Sequence, residues 1–340
     1  MTNPTLTGTT RPLQEEYDVA LVDLDGVTYK GPDAIPSAPP ALAAARRAGL
    51  SLIFVTNNAS REPEQVSDHL TELGIPTEVS EVMTAAQAGA AMLVENLPAG
   101  VKVLVIGGQG LLTAVAAAGF EIVDSADDVP AAVIQGYWPD IGWKQFAEAT
   151  YAINAGARFF ATNLDMTLPT NRGLAPGNGA LVGIVASATG KTPMAAGKPE
   201  PTMFLMAAKR AGAKNPLAIG DRLDTDLKGA RAANIPGLMV LTGVNDARDA
   251  LLAPADQRPS LIGADLSCLA QVHPIPVVSD SWCHVGDARA RVTEGYLVVD
   301  GGSEIDRVRA ACVAAWAAAD AGNKVVVETL PHLGVTSHHG

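Results

Sequence analysis

The sequence predicts an α/β fold built on a parallel sheet, with a second α/β module inserted into it and a small α/β unit near the C-terminal end. Short apolar runs alternate along the chain with alanine-rich segments of helical character, the order expected of strand–helix–strand units. Several of the apolar runs end abruptly in acidic or polar residues. In such folds, ligands bind at the carboxyl edge of the strands, so we expect the functional site there.

Composition narrows the class of protein. The 340 residues suffice for two or three domains, and 48% hydrophobic with 18% charged residues is typical of a globular protein with a sizeable core. A net charge of -12 argues against nucleic acid as a partner, and no apolar run or basic block suits a membrane. The cysteines, Cys268, Cys283 and Cys312, are too few for a disulfide framework. We therefore expect inert thiols and a cytoplasmic location.

The first strand ends in two acids. Val19-Ala-Leu-Val22 is an apolar run, and Asp23 and Asp25 follow it two residues apart, so their side chains leave the same face of an extended backbone. Gly26 allows the chain to turn away at once. Two neighbouring carboxylates repel each other unless a cation or a shared proton intervenes. We favour a divalent metal beside a carboxylate nucleophile.

The next elements repeat the pattern. An alanine-rich helix is predicted at 39–48, a buried strand at 50–56 and a helix at 63–73. The strand ends in the polar run Thr56-Asn57-Asn58. This order predicts a parallel sheet with right-handed crossovers, and residues 13–82 form the first part of the predicted core domain.

A second α/β module is predicted at 83–185, where the alternation restarts with a strand at 101–106 and a helix at 111–118. Residues 186–272 then complete the core. Lys198 precedes a Pro-started helix at 199–211.

The last part of the predicted core again ends a strand in acids. The run 217–221 closes on Asp221, with Asp224 and Asp226 shortly after it. Beyond residue 272, prolines between 274 and 282 indicate a linker. We predict a small strand–helix–strand unit over 275–330, with its strands at 295–299 and 324–328 and its helix at 304–319, and we hypothesise a ligand-binding or interaction role.

Four separated segments carry reactive polar groups, and a parallel sheet brings such groups to one edge. A carboxylate can attack phosphorus, a hydroxyl, an amide and an ammonium can hold phosphoryl oxygens, and further carboxylates can bind Mg²⁺. The segments are Asp23-Leu-Asp25-Gly26-Val27, Val55-Thr56-Asn57-Asn58, Gly197-Lys198-Pro199 and Gly220-Asp221-Arg-Leu-Asp224-Thr225-Asp226. Their order and spacing resemble the motifs of the haloacid dehalogenase superfamily, and the Thr-Asn-Asn run with the following insertion resembles its NagD-like branch. The resemblance covers roughly residues 16 to 270.

This resemblance implies a role for each acid. Asp23 resembles the nucleophile and a metal ligand. Asp25 resembles the general acid and base, with its backbone carbonyl on the metal. Asp221 resembles the third metal ligand, and Asp226 resembles a residue that orients metal-bound water. Turn caps at strand ends are the alternative for the acids.

The resemblance also implies the residues that hold the substrate. Thr56 and Asn57, with Asn58 beside them, resemble phosphate holders, and Lys198 resembles the cation that offsets charge between nucleophile and phosphoryl group. Helix capping remains an alternative for Thr56 and Asn57, and a solvated side chain for Lys198. The inserted module resembles a cap, in which Asn163 and Asp165 contact the leaving group; ordinary turn chemistry explains these two equally well.

Two glycine-rich stretches imitate nucleotide-binding motifs. Gly107-Gly-Gln-Gly110 follows a strand but lacks the full dinucleotide-binding spacing, and Gly190-Lys191-Thr192 imitates only the end of a P-loop. We reject both.

The function that the resemblance implies is a Mg²⁺-dependent phosphatase working through an aspartyl-phosphate. Its expected substrate is a small phosphorylated metabolite, best glycerol 3-phosphate or 2-phosphoglycolate, and a homodimer through the cap is expected. A phosphomutase or other phosphotransferase, and a sugar-phosphate, pyridoxal-phosphate or 4-nitrophenyl-phosphate phosphatase, remain open. A dehalogenase is disfavoured because Asp25 and Asp221 suit metal and acid–base work.

Overall fold

The computed structural model describes residues 6–170, 172–323 and 325–335. The chain forms two compact units. The first comprises Met1–Ile53, Leu73–Ile75 and Ala208–Gly340, and the second comprises Phe54–Glu72 and Pro76–Ala207.

Strands and helices alternate over most of the described residues, as predicted. The helices are α1 (Leu13–Glu16), α2 (Ala38–Arg47), α3 (Pro63–Glu72), α4 (Ala85–Asn96), α5 (Gln109–Ala117), α6 (Trp143–Asn154), α7 (Asn178–Thr189), α8 (Thr202–Arg210), α9 (Lys228–Ala232), α10 (Ala247–Leu252) and α11 (Glu304–Asp320). The strands are β1 (Val19–Val22), β2 (Tyr29–Lys30), β3 (Asp33–Ala34), β4 (Ser51–Thr56), β5 (Val82–Thr84), β6 (Lys102–Ile106), β7 (Glu121–Val123), β8 (Ala132–Gln135), β9 (Arg158–Ala161), β10 (Thr167–Thr170), β11 (Gly173–Pro176), β12 (Met194–Ala195), β13 (Pro216–Gly220), β14 (Gly237–Val240), β15 (Leu261–Gly263), β16 (Val277–Ser279), β17 (Trp282–Val285), β18 (Ala288–Thr293) and β19 (Tyr296–Gly301).

The first unit contains parallel strands in the order β15-β14-β13-β1. Every residue of β1 and β14 is buried, as expected for central strands that are covered on both faces. Strand β1 pairs with β13 in a register that sets Val22 beside Ile219. The residues that follow these two strands therefore leave the sheet side by side. The predicted parallel α/β fold is confirmed.

The C-terminal part of the first unit differs from its prediction. Four strands form an antiparallel sheet in the order β16-β17-β18-β19, on which α11 packs. The predicted linker thus contains strand β16, and the prediction missed β17 and β18. The predicted strand at 324–328 is wrong where the structure describes it, since Val327–Thr329 is a short 3-10 helix; Lys324 lies outside the described residues.

The second unit has its own parallel sheet, in the order β12-β9-β8-β6-β7. Helices α6 and α7 pack against each other beside it. The buried core there includes Val133, Ile153 and Val185. A hairpin of β10 and β11 also belongs to this unit, as does the parallel pairing of Phe54–Thr56 in β4 with β5. The boundaries 83–185 for an inserted domain stay a prediction.

The glycines of the two rejected motifs have structural roles. Gly108 is the residue before α5, and a side chain at Gly110 would collide with the backbone of Arg61. Gly190 ends α7 in a left-handed conformation, with φ of +67°. The second stretch is thus a helix C-terminus, which agrees with its rejection as a P-loop.

Candidate active site

The paired strands β1 and β13 position Asp23 and Asp221 next to each other. The backbone N–H of Asp23 donates to the carbonyl of Ile219 at 2.9 Å, which extends the ladder past the end of β1. The carboxylate of Asp221 accepts a 2.6 Å hydrogen bond from the N–H of Val244, which follows β14. Both acids are therefore fixed by neighbouring parallel strands, as the sequence predicted for this edge of the sheet.

Asp226 completes a cluster of three carboxylates. One oxygen from each of Asp23, Asp221 and Asp226 lies within 4.8 Å of the others. Asp221 and Asp226 are almost fully buried, and Asp226 also accepts from the N–H of Arg222 at 3.2 Å. Clustered carboxylates repel one another, and a divalent cation relieves that repulsion. The role predicted for Asp226, orienting metal-bound water, stays a prediction. Its carboxylate belongs to the same cluster as those of Asp23 and Asp221, so it is also placed to bind the metal directly.

Two glycines allow the cluster to form. Gly26 has φ of +82°, and a side chain there would collide with the carboxylate of Asp221. A side chain at Gly243 would meet the same carboxylate. The carbonyl of Gly26 accepts a 2.6 Å hydrogen bond from the hydroxyl of Thr242. The turn after β1 is thus held close to Asp221.

Asp25 stands in different surroundings from Asp23. Its side chain is exposed, whereas that of Asp23 is half-buried. The turn beneath it is tight, with the N–H of Gly26 donating to the carbonyl of Tyr29 at 2.8 Å. An exposed carboxyl on a rigid turn can exchange protons with a substrate and with water.

In the second unit, Lys198 is a buried cation. Its side chain is 2% exposed, and its ammonium donates to the carbonyl of Val55, one residue before Thr56, at 3.0 Å. The ammonium also lies 5.9 Å from the centre of the Phe204 ring. A buried ammonium is costly unless anions or dipoles compensate it. Such a group suits the binding of a phosphoryl group.

The side chain of Asn57 contacts the backbone of Lys198 on both sides. Its Oδ1 accepts from the N–H of Lys198 at 2.9 Å, and its Nδ2 donates to the carbonyl of Lys198 at 3.0 Å. Nδ2 also donates to a carboxylate oxygen of Asp165 at 2.9 Å. The predicted phosphate contact of Asn57 stays a prediction.

Thr56 and Asn58 form a local turn. Thr56 is buried, and its hydroxyl oxygen accepts from the N–H of Asn58 at 3.1 Å. The side-chain oxygen of Asn58 accepts from the N–H and the hydroxyl of Ser60, both at 2.8 Å. These bonds fix the loop after β4, as short polar side chains do in turns.

Asn163 and Asp165 lie in the same network as Asn57. The amide of Asn163 donates to the carbonyl of Asn57 at 2.7 Å, and its oxygen accepts from the N–H of Asp165 at 3.1 Å. Asn178, which is 2% exposed, donates to the carbonyl of Asn163 at 2.8 Å. Asn178 was not among the predicted site residues, although its place in the run Gly177-Asn178-Gly179 was a signal that could have found it.

The predicted site residues thus fall into two groups, each within one unit. The first unit holds Asp23, Asp25, Asp221 and Asp226. The second holds Thr56, Asn57, Asn58, Asn163, Asp165 and Lys198.

The three cysteines are buried and free. Burial raises the pKa of the Cys268 thiol to about 12 and also raises the pKa of the Cys312 thiol. Both thiols are therefore protonated near neutral pH and are poor nucleophiles. This agrees with the expectation that they are inert.

Comparison with known proteins identifies related families and structures. Residues 20–121 match a family model described as haloacid dehalogenase-like hydrolase, and residues 195–269 match one described as HAD-hydrolase-like. The chain is 45% identical over 261 residues to D-glycerol 3-phosphate phosphatase from Mycobacterium tuberculosis, covering 77% of this chain and 73% of that protein. It is 36% identical to acid sugar phosphatase from Staphylococcus aureus, covering 69% of this chain and 90% of the relative.

Solved structures extend the likeness. A crystal structure of a glycerol phosphate phosphatase from Mycobacterium tuberculosis in complex with magnesium is 40% identical, with a TM-score of 0.83, and the match covers 90% of this chain and 92% of that chain. A thermostable NPPase from Geobacillus stearothermophilus is 32% identical, with a TM-score of 0.68, over 74% of this chain and 98% of that one. About a quarter of this chain therefore has no counterpart in the second structure.

Among the residues that the structure describes, none of the helices combines the length and apolar character needed to cross a membrane.

Proposed function

The chain belongs to the haloacid dehalogenase-like hydrolases and is a phosphatase of that family, and we propose that its substrate is glycerol 3-phosphate. The observation that carries this choice is the 45% identity to a D-glycerol 3-phosphate phosphatase. The match to the crystal structure of a glycerol phosphate phosphatase covers 90% of the chain, whereas the match to the thermostable NPPase covers 74%. 2-Phosphoglycolate is the alternative that the sequence analysis left open.

Mg²⁺ is the cofactor, as in the magnesium complex of the Mycobacterium tuberculosis enzyme. The residues present fit it, because the acid cluster offers hard carboxylate oxygens within 4.8 Å of one another. Asp23 and Asp221, with the backbone carbonyl of Asp25, would hold the ion, and Asp226 lies close enough to help. When bound, the ion neutralises charge on the phosphoryl oxygens.

We assign the covalent steps to Asp23 and Asp25. A carboxylate oxygen of Asp23 attacks phosphorus, the bond from phosphorus to the glycerol oxygen breaks, and Asp25 gives its proton to that oxygen. Asp25, now ionised, takes a proton from water while the water oxygen attacks phosphorus. The bond between phosphorus and Asp23 then breaks, which releases inorganic phosphate and restores both residues.

Lys198 and the loop after β4 would hold the phosphoryl group. The ammonium of Lys198 would offset negative charge on the phosphoryl oxygens. The hydroxyl of Thr56 and the backbone around Asn57 and Asn58 supply donors for the phosphoryl oxygens. Contact of Asn163 or Asp165 with the leaving group stays a prediction.

A phosphate-release screen tests the substrate. The panel contains glycerol 3-phosphate, 2-phosphoglycolate, sugar phosphates, pyridoxal phosphate and p-nitrophenyl phosphate, each with Mg²⁺ or with EDTA. We expect the highest kcat/KM for glycerol 3-phosphate and no turnover in EDTA. A higher value for a sugar phosphate, the substrate class of the 36% identical relative, would overturn the choice. Transfer of labelled phosphate to a second hydroxyl instead of water would indicate a phosphomutase.

We also propose that the chain acts as a homodimer through the inserted module. The second unit exposes large apolar side chains, including Trp143 at 76% and Leu174 at 73%. Covering such side chains with a second copy of the chain would remove apolar surface from water. Light scattering should give twice the mass of the chain, and Leu174→Asp should lower it; a monomeric wild type would refute the proposal.

A cytoplasmic location is the expectation that goes with this function. The three buried free cysteines support it, because free thiols persist in a reducing compartment. Fractionation of cells that express the full chain is the test, and recovery in a membrane or secreted fraction would contradict it.

A further inference from the structure

Asn57 links Lys198 to Asp165. The single amide of Asn57 engages both backbone polar groups of Lys198, through bonds of 2.9 and 3.0 Å. The second hydrogen of its Nδ2 goes to the carboxylate of Asp165 at 2.9 Å. A planar amide with three partners in these directions has little rotational freedom. The carboxylate therefore sets the plane of the amide, and the amide sets the peptide groups on either side of Lys198.

Asp165 is itself held in place by backbone contacts. Its N–H donates to the side chain of Asn163 at 3.1 Å, and its carbonyl accepts from the N–H of Gly179 at 2.8 Å. Asn178 donates to the carbonyl of Asn163 at 2.8 Å. The loop that carries Asp165 is thus fastened to the start of α7, so it can serve as a fixed support.

The backbone before Lys198 is packed against the same loop. The N–H of Gly197 donates to the carbonyl of Thr162 at 2.7 Å. A Cβ at Gly197 would lie 2.6 Å from that carbonyl oxygen and 2.8 Å from the side-chain oxygen of Asn57. This close approach needs glycine. The hydrogen bond and the close packing of Gly197 together fix the position of the peptide group before Lys198.

We propose that Asp165, acting through Asn57, is a positioning residue that fixes the backbone of Lys198 and thereby the place of its ammonium. This role differs from the predicted contact of Asp165 with the leaving group, and the experiments below distinguish the two. The inference rests on the proposed function, because it concerns the lysine that binds the phosphoryl group. Small displacements of a catalytic group lower kcat steeply, so a support of this kind matters even at a distance from the substrate.

The test compares substrates with different leaving groups. Asp165→Ala should lower kcat by about ten- to a hundredfold, by the same factor for glycerol 3-phosphate, 2-phosphoglycolate and p-nitrophenyl phosphate, with KM changed much less. Asp165→Asn keeps an oxygen that accepts from Asn57, so it should retain most of the activity. Asp127→Ala, an exposed acid in the same unit, is the matched control and should match the wild type.

A double variant shows whether the effect passes through Asn57. N57A/D165A should be no slower than N57A alone, because the amide through which Asp165 acts is already gone. If the loss of kcat in the double variant equalled the product of the two single losses, the proposal would be overturned. A loss that falls on KM, or on glycerol 3-phosphate but not on p-nitrophenyl phosphate, would also overturn it, since either result would mean direct contact with the leaving group.

A charge swap keeps the test decisive if Asp165→Ala does not fold. Asn57→Asp would place two carboxylates in contact and remove the amide that donates to the carbonyl of Lys198, so it should lower kcat. Adding Asp165→Asn should recover part of the activity, because the new amide can donate to the new carboxylate, which still accepts from the N–H of Lys198. No recovery would overturn the proposal. The substrate proposal fails separately, if the wild type hydrolyses p-nitrophenyl phosphate but not glycerol 3-phosphate; the ratios between variants then still test the positioning role.

Discussion

Asp23 and Asp25 are two residues apart, yet their surroundings suit different chemistry. Asp23 is half-buried and close to two other carboxylates, whereas Asp25 is exposed on a tight turn. A carboxylate held beside a cation stays ionised and suits a nucleophile, and an accessible carboxyl suits proton transfer.

Asp25→Asn should separate the two steps of the reaction. Without its acid, the enzyme should hydrolyse glycerol 3-phosphate about 100- to 10,000-fold more slowly. The nitrophenolate group leaves without a proton, so p-nitrophenyl phosphate should still give a burst of one nitrophenolate per enzyme, followed by slow turnover. Rapid-mixing absorbance measures the burst. Equal loss of burst and turnover would refute the assignment.

The acid cluster predicts how Asp226→Asn changes the melting temperature with and without metal. Asp226→Asn removes one of three clustered charges, so it should raise the melting temperature in EDTA and lessen the rise that Mg²⁺ causes in the wild type. Asp224→Asn is the control, because Asp224 is exposed and pairs with Arg222. Thermal melts with EDTA or Mg²⁺ measure both. The same response to Mg²⁺ in D226N and the wild type would exclude Asp226 from the metal site.

At the scale of elements, α11 is attached to the parallel sheet by a buried arginine. Arg309 is 3% exposed and donates to the carbonyl of Ile262 in β15 at 2.8 Å. It also contacts the ring of His273 at 3.2 Å and pairs with Asp306. A satisfied buried cation of this kind fixes how a helix docks.

His273 predicts how stability falls in acid. Burial, aided by the charge of Arg309, lowers the pKa of His273 to about 3 from its usual 6.5. Between pH 6.5 and pH 3, His273 is protonated in the unfolded chain but neutral in the folded chain. The contribution of neutral His273 to the free energy of unfolding is therefore complete above pH 6.5 and is lost as the pH falls towards 3. By pH 5 the loss is about 2 kcal/mol at most.

His273→Gln should remove that part of the pH dependence. The difference in free energy of unfolding between pH 7.5 and pH 5 should shrink relative to the wild type. Urea unfolding at the two pH values measures it. An unchanged slope in H273Q would contradict the account.

At the scale of the whole molecule, the C-terminal sheet and α11 share one core with the parallel sheet of the first unit. The cluster includes Met239 and Ile262 from that sheet and Val308 and Trp316 from α11. The indole of Trp316 donates to the carbonyl of Ala250 at 3.0 Å. The C-terminal part is therefore structural within this unit, whatever else it binds.

Trp316→Ala tests this shared core. Trp316 is 2% exposed, so the substitution should lower the free energy of unfolding by about 3–5 kcal/mol. Activity and secondary structure should then be lost at the same, lower urea concentration. Trp143→Ala, at a tryptophan that is 76% exposed, should cost little. Activity that survives while α11 unfolds would mean that the C-terminal part is an independent module.

The sequence allowed prediction of what depends on local pattern. Apolar runs that end in acids located β1, β13 and the adjacent Asp23 and Asp221. The strands β17 and β18 were not predicted, because their buried positions include small residues such as Ala288 and Ala290 and because nearby prolines indicated a linker. The partners of Asn57 lie 108 and 141 residues away, so tertiary contacts that no local pattern encodes decide what its side chain does.

The account depends most on Asp23 as the nucleophile, and acid quenching during turnover tests this directly. With Mg²⁺ and glycerol 3-[³²P]phosphate, the wild type should carry acid-stable, hydroxylamine-sensitive label on the peptide that contains Asp23. Asp23→Asn should fold normally, as judged by circular dichroism, and carry none. Label on another peptide, or full turnover by D23N, would contradict the account.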